Sequence, residues 1–171
     1  MENVLFREQQ AFRQTWMWLF LLGALGSLTW GVIQQVILGD PWGDNPMPDW
    51  ALLLTWALMI ALNWMMAVAR LDVRISTERI RFRFYPFHLQ HREIFWEEVE
   101  KAALKTYSPL REYGGWGIRW GRKGKAFNVA GRDGLQLELT EGRRLLLGTQ
   151  KREELEEAMA YLYEESIVRP D

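Results

Sequence analysis

Two patterns of hydrophobic and polar positions divide the chain. Residues 14–39 read QTWMWLFLLGALGSLTWGVIQQVILG, 26 residues without a formal charge, and residues 50–69 read WALLLTWALMIALNWMMAVA, 20 more. A helix needs about 20 apolar residues to cross a hydrocarbon core of roughly 30 Å. Helices buried in a soluble bundle are usually shorter and keep a polar stripe. The pattern therefore predicts two membrane spans, at 15–38 and 50–69. The connection at 39–49 holds three Pro and two Gly, so it cannot stay helical. Its shortness makes the spans an antiparallel hairpin over 14–69.

After Arg70 the period changes to two. Leu71, Val73 and Ile75 alternate with polar neighbours, as do Ile80, Phe82 and Phe84 against Arg79, Arg81 and Arg83. Such alternation gives each strand of an antiparallel sheet one buried and one wet face. FHLQHREIFW predicts a third strand beyond Pro86. VEKAALKTY reads as a fourth, with a helical turn over 97–104 as the alternative. Further short strands are expected at 116–120 and 126–129, around a turn at 121–125. Arg132-Asp133-Gly134 predicts a hairpin turn, LQLELT and RRLLLGT two more strands, and Glu141-Gly142 the turn between them. The period then becomes helical: Leu155, Ala158, Met159 and Leu162 share one face. This predicts a capping helix at about 150–165, with Thr149 as its N-cap. Residues 1–13 mix Val4, Leu5, Phe6, Ala11 and Phe12 with charges and predict a short interfacial helix.

The expected fold is thus an α+β membrane protein. A transmembrane hairpin is followed by a β-sandwich or barrel over 70–171, closed by a C-terminal helix. Seven or eight short strands plus one amphipathic helix is the pattern of a pleckstrin-homology-like (PH-like) domain. The segments VRISTERIRFRFYPF, EIFWEEVEKA, YGGWGIRWGRKGKAFNVAG and LLLGTQKREELEEAM, placed after two spans, resemble uncharacterised bacterial two-span membrane proteins with a PH-like cytosolic domain. The resemblance covers nearly the whole chain. It implies a PH-like fold and a bacterial inner-membrane address, and brings no activity or catalytic residues.

Charge orients the hairpin. Arg7 and Arg13 precede the first span, and Arg70, Arg74, Arg79, Arg81 and Arg83 follow the second, whereas the connection carries only Asp40, Asp44 and Asp49. By the positive-inside rule both termini are cytoplasmic and the loop is external. Trp16, Trp18, Trp42 and Trp50 fall where headgroups are expected, a zone that indole favours. Gly23, Ser27 and Gly31 recur every four residues, and Ala57 and Ala61 form a similar strip. Small residues so spaced allow close helix approach, within the hairpin or between copies in a homo-oligomer. Gln34, Gln35 and Asn63 are the polar residues of the spans.

The whole chain has 21 Lys+Arg, 22 Asp+Glu and no Cys. The absence of Cys removes disulfides and thiol chemistry, and the neutral balance argues against nucleic acid. No serine lies in a nucleophile-elbow motif, and no phosphate-loop motif is present. On a strand, His88 and His91 would point to opposite faces, against a shared metal. The runs Glu97, Glu98, Glu100 and Glu153, Glu154, Glu156, Glu157 read as solvated faces. These residues point to no catalytic group, cofactor, metal or small-molecule substrate. The basic, aromatic segment containing Arg111, Trp116, Arg119, Trp120, Arg122, Lys123, Lys125 and Arg132 is the candidate contact for anionic lipid or a partner, and the Gly-rich stretch 113–117 is a second candidate surface. The expected function is a non-enzymatic membrane scaffold or binding module. Its expected partners are the bilayer and another copy or another membrane protein. The alternative is a subunit of an oligomeric channel or transporter with Gln34, Gln35 and Asn63 lining a path.

Overall fold

The computed structural model describes residues 3–121, 124–140 and 142–168. They form two compact units. One is Arg13–Val68; the other joins the residues up to Phe12 with those from Ala69 onward.

The first unit is a pair of helices, α1 (Thr15–Val32), whose last turns over Ile33–Ile37 widen to a π-helix, and α2 (Asp49–Val68). Both are long and apolar enough to cross a membrane. They run antiparallel. Gln35 Nε2 donates to the Asp49 carboxylate at 2.7 Å and to the Met47 carbonyl at 2.8 Å, and Trp56 Nε1 donates to the Thr29 hydroxyl at 2.9 Å. Leu21, Val32, Leu52 and Asn63 are buried, while Leu19, Phe20, Ile37, Trp50 and Leu58 are exposed. A helix pair that leaves its largest apolar residues outward is suited to lipid, because in water it would forgo most of its burial energy.

Most of the small-residue strip positions are not buried within the helix pair. Gly23, Ser27, Ala57 and Ala61 are exposed, and a Cβ on Gly23 would meet nothing within 4 Å. Gly31 is buried for a different reason. Trp42, in the 39–48 connection, folds back onto it, and a Cβ there would come within 2.6 Å of Trp42 Cδ2. Gly31→Leu is therefore expected to displace Trp42 and lower the melting temperature of the detergent-solubilised chain. Gly23→Leu should leave it unchanged; equal effects in calorimetry would refute this role for Trp42.

The second unit contains β1 (Val4–Ala11), β2 (Arg70–Ser76), β3 (Arg79–Tyr85), β4 (Arg92–Phe95), β5 (Val99–Thr106), β6 (Gly117–Gly121), β7 (Gly124–Asn128), β8 (Asp133–Leu139) and β9 (Arg144–Thr149). It also holds the short helix α3 (Pro109–Tyr113) and the amphipathic α4 (Arg152–Glu164). One sheet has the order β1-β2-β3-β4; the other has β5-β8-β9-β7-β6. The apolar positions of the expected alternation are buried, although on β2 Asp72 of the other face is buried as well. Leu71, Val73 and Ile75 on β2, Ile80, Phe82 and Phe84 on β3, and Leu135, Leu137 and Leu139 on β8 are buried. So is the α4 stripe of Leu155, Ala158, Met159 and Leu162.

The largest correction concerns the N-terminus. Residues 4–11 are the edge strand β1, paired antiparallel with β2 from Ala11↔Arg70 to Phe6↔Ile75, instead of an interfacial helix. The second unit therefore does not begin at residue 70. The helix pair is inserted between its first two strands. The inward face of β1 is Phe6, Glu8 and Gln10, continued beyond the strand by Phe12, all buried. Gln10 Nε2 donates to the Gly148 carbonyl at 2.6 Å. The Glu8 carboxylate accepts from the Thr149 hydroxyl at 2.6 Å and from the Gln150 N–H at 2.9 Å.

Other differences are local. Residues 86–91 are a turn, so the third strand starts only at Arg92. Trp96–Glu98 form a single 3₁₀ turn before β5. Residues 132–134 do not join adjacent strands: β9 lies between β7 and β8, and β7 pairs with it in parallel. The sheets are thus not wholly antiparallel. Lys151, not Thr149, holds the N-cap position of α4, and the Thr149 hydroxyl accepts its N–H at 3.0 Å. Thr149 is engaged instead by Glu8.

Candidate binding groove

A groove of about 530 Å³ opens between the two sheets of the β unit. Phe82 on β3, Ile94 on β4, Phe127 on β7 and Leu145 on β9 contribute apolar walls, and Arg92, Lys125 and Arg144 contribute cations. Trp120 stands at its edge, 77% exposed.

Strand pairing explains this grouping. Trp120 on β6 lies directly opposite Lys125 on β7. The Lys125 ammonium sits 4.5 Å from the Trp120 ring centroid and 4.9 Å from that of Phe127. Such cation–π contacts hold the lysine against the wall and leave its N–H donors for a ligand. Strand β7 opens on Gly124. Its φ is +104°, and a Cβ would strike the Arg144 backbone carbonyl. Only glycine lets the chain pass β9 this closely.

The electrostatics favour an anion. Burial, and then the nearby Arg92, push the Lys125 ammonium below its usual pKa. His88 is lowered by burial, then by Arg92 and Lys125. These positive groups disfavour one another's charge, and a bound anion would relieve that repulsion. Of the two carboxylates lining the groove, Glu93 is already occupied by Arg79 at 2.9 Å and Arg81 at 2.8 Å, and Glu98 is solvent-exposed. Arg144 is paired with Glu138 at 2.8 Å. Among the described residues neither Arg92 nor Lys125 forms an ion pair.

Of the eight residues expected to bind lipid or a partner, the groove brings together Trp120 and Lys125, while Arg132 is exposed outside it. Arg111 is exposed on α3, outside the groove. Trp116 Nε1 donates to the Gly131 carbonyl at 3.4 Å, and Arg119 Nε donates to the Trp116 carbonyl at 2.8 Å, so both are used locally. Arg122 and Lys123 lie outside the described residues. The stretch 113–117 does not present Tyr113, which is buried 5.7 Å from Tyr107. Burial pushes the Tyr107 phenol up to about 12, and it accepts from Asn128 Nδ2 at 2.9 Å. That phenol is a structural group and stays protonated near neutrality. His88 and His91 belong to the 86–91 turn rather than to a strand. His88 packs on Phe127 at 5.3 Å, and His91 lies 3.9 Å from Asp72. Among the described residues no group of three or more His, Asp or Glu is arranged to hold a metal. Arg92 and Arg144 were missed because only the tertiary fold places them near Lys125.

The chain matches no protein-family model, and no curated protein matches it.

Proposed function

We propose that this chain is a non-enzymatic, membrane-anchored binding module. Its two apolar helices cross a bacterial cytoplasmic membrane as a hairpin, with both ends cytoplasmic. Its β unit, a PH-like domain, receives an anionic lipid headgroup in the groove. The observation that carries the binding reading is the facing of Arg92 and Lys125 beside the exposed Trp120. Two further observations support the membrane reading. Ala11 pairs with Arg70, so the chain leaves and re-enters the same sheet, as a double crossing requires. The basic residues flank the spans, and the connection has none. Two sheets with a C-terminal helix are in keeping with a PH-like architecture, while the parallel β7–β9 pair departs from it.

The channel alternative has less support. Gln35 is used in holding the connection, and Asn63 is buried within the helix pair, its Nδ2 donating to the Met59 carbonyl at 2.9 Å. Assembly with a second copy or another membrane protein is compatible with the binding reading.

The test is lipid selectivity of the full chain in mixed vesicles, read with spin-labelled phosphatidylglycerol against spin-labelled phosphatidylcholine. Each cation near a bilayer surface contributes about 1 kcal/mol. Arg92→Gln with Lys125→Gln is therefore expected to reduce the preference for the anionic lipid roughly tenfold or more. Unchanged selectivity in the double variant would remove the groove as the binding site.

A further inference from the structure

The turn between β3 and β4, residues 86–91, inverts the usual placement of polar and apolar groups. His88 faces inward, and its apolar neighbours Phe87 and Leu89 face out. The His88 ring packs on Phe82 at 6.4 Å and on Phe127 at 5.3 Å. Its N–H donates to the Phe84 carbonyl at 2.8 Å, and the Phe84 N–H donates back to His88 Nδ1 at 3.4 Å. These bonds fix the turn. Phe87 and Leu89, on either side of His88, are 56% and 76% exposed. A turn meant only for water gains nothing from two large apolar side chains held outward.

The strand register locates this turn. Tyr85 pairs with Arg70, and Arg70 pairs with Ala11. The turn therefore leaves the sheet at the end from which the chain departs for α1 and to which it returns from α2. Ring contacts agree. Phe12, the last residue before Arg13, lies 6.4 Å from Phe84, and Phe84 lies 6.1 Å from Phe87. Arg13 and Arg70 flank the two span junctions in the sequence, and Arg92 closes the turn.

We infer that residues 86–91 are a third membrane contact. Phe87 and Leu89 enter the headgroup region of the leaflet at which α1 begins and α2 ends. The adjacent arginines meet the phosphates there. Aromatic and aliphatic side chains flanked by cations are the residues that partition into this zone. The contact fixes the β unit at two places, through the chain and through the turn. It rests on the reading of α1 and α2 as membrane spans.

The chain has no Cys, so single cysteines at exposed positions can carry a fluorophore. Leu89→Cys reports on the turn, Leu58→Cys on an outward position of α2, and Leu110→Cys on the exposed face of α3. The labelled full-length chains are reconstituted in phosphatidylcholine–phosphatidylglycerol vesicles. These contain nitroxide lipids at headgroup and acyl-chain depth. The label at Leu89 is expected to lose most of its fluorescence, as at Leu58, while that at Leu110 stays bright. A bright label at Leu89 with a quenched one at Leu58 overturns the contact and leaves the spans standing. A bright label at Leu58 overturns the spans and the contact together. Equal quenching at all three sites also overturns it, because the turn would then be no more lipid-facing than the rest of the unit.

Discussion

A chain beginning at residue 69 is expected to fail to form the β unit, whereas one lacking residues 13–68 should form it and dissolve in water. Strand β1 pairs with the edge of β2, and its inward side chains reach the β9–α4 junction. Burial of Phe6 and Phe12 contributes about 1.5–3 kcal/mol each. Loss of Glu8 and Gln10 leaves the Thr149 hydroxyl, the Gln150 N–H and the Gly148 carbonyl without these partners, at roughly 1–3 kcal/mol per buried group. Together these rival the whole stability of an ordinary domain, about 5–15 kcal/mol. Excision of the helix pair removes none of those contacts. Ala11 and Arg70 are neighbours in the ladder, so a two-residue Asn-Gly turn can join Phe12 to Ala69. The check is a thermal melt followed by circular dichroism. The joined chain should show one cooperative transition, and residues 69–171 alone should aggregate or show none. A shared melting temperature for the two would mean that β1 is dispensable.

Where one period governs burial, the fold could be read in advance. The long apolar runs give α1 and α2, alternation gives β2, β3 and β8, and the four-residue stripe gives α4. Strand β1 escaped because two of its inward residues are Glu8 and Gln10. Their burial is made tolerable by partners at Thr149, Gln150 and Gly148, roughly 140 positions away in sequence. No local pattern announces such a bond. The parallel β7–β9 pair was hidden for a related reason: Asp133-Gly134 has hairpin chemistry, yet β9 occupies the place beside β7. The groove was half legible. Trp120 and Lys125 are close in sequence and cross-strand neighbours, whereas Arg92 reaches them only because the sheets meet. The turn at 86–91 reads as the start of a new strand after the break at Pro86 because Phe87 and Leu89 alternate with polar neighbours, but their phase is opposite to that of Phe82 and Phe84, and His88 takes the inward place.

Glu8→Ala is expected to be the most damaging single substitution in the β unit. Its carboxylate is 4% exposed as a residue and bonds both the Thr149 hydroxyl and the Gln150 N–H. Those groups stand at the start of α4, where the helix dipole also favours a negative charge. A hydrogen bond to a charged group contributes about 1.5–3 kcal/mol, and leaving a buried neutral donor bare costs about 1–3. A loss of about 3 kcal/mol corresponds to a fall of roughly 10 °C in the melting temperature of a unit this size. Glu8→Gln keeps the shape and one acceptor oxygen, so its loss should be smaller. Thr149→Val removes the hydroxyl alone. In the full chain in detergent, the double variant Glu8→Ala/Thr149→Val should therefore lose less than the two single losses combined, with a coupling of about 0.5–3 kcal/mol. Strict additivity would show that the Glu8–Thr149 bond contributes nothing, and that β1 is held by its backbone ladder, its two phenylalanines and the bonds to Gly148 and Gln150.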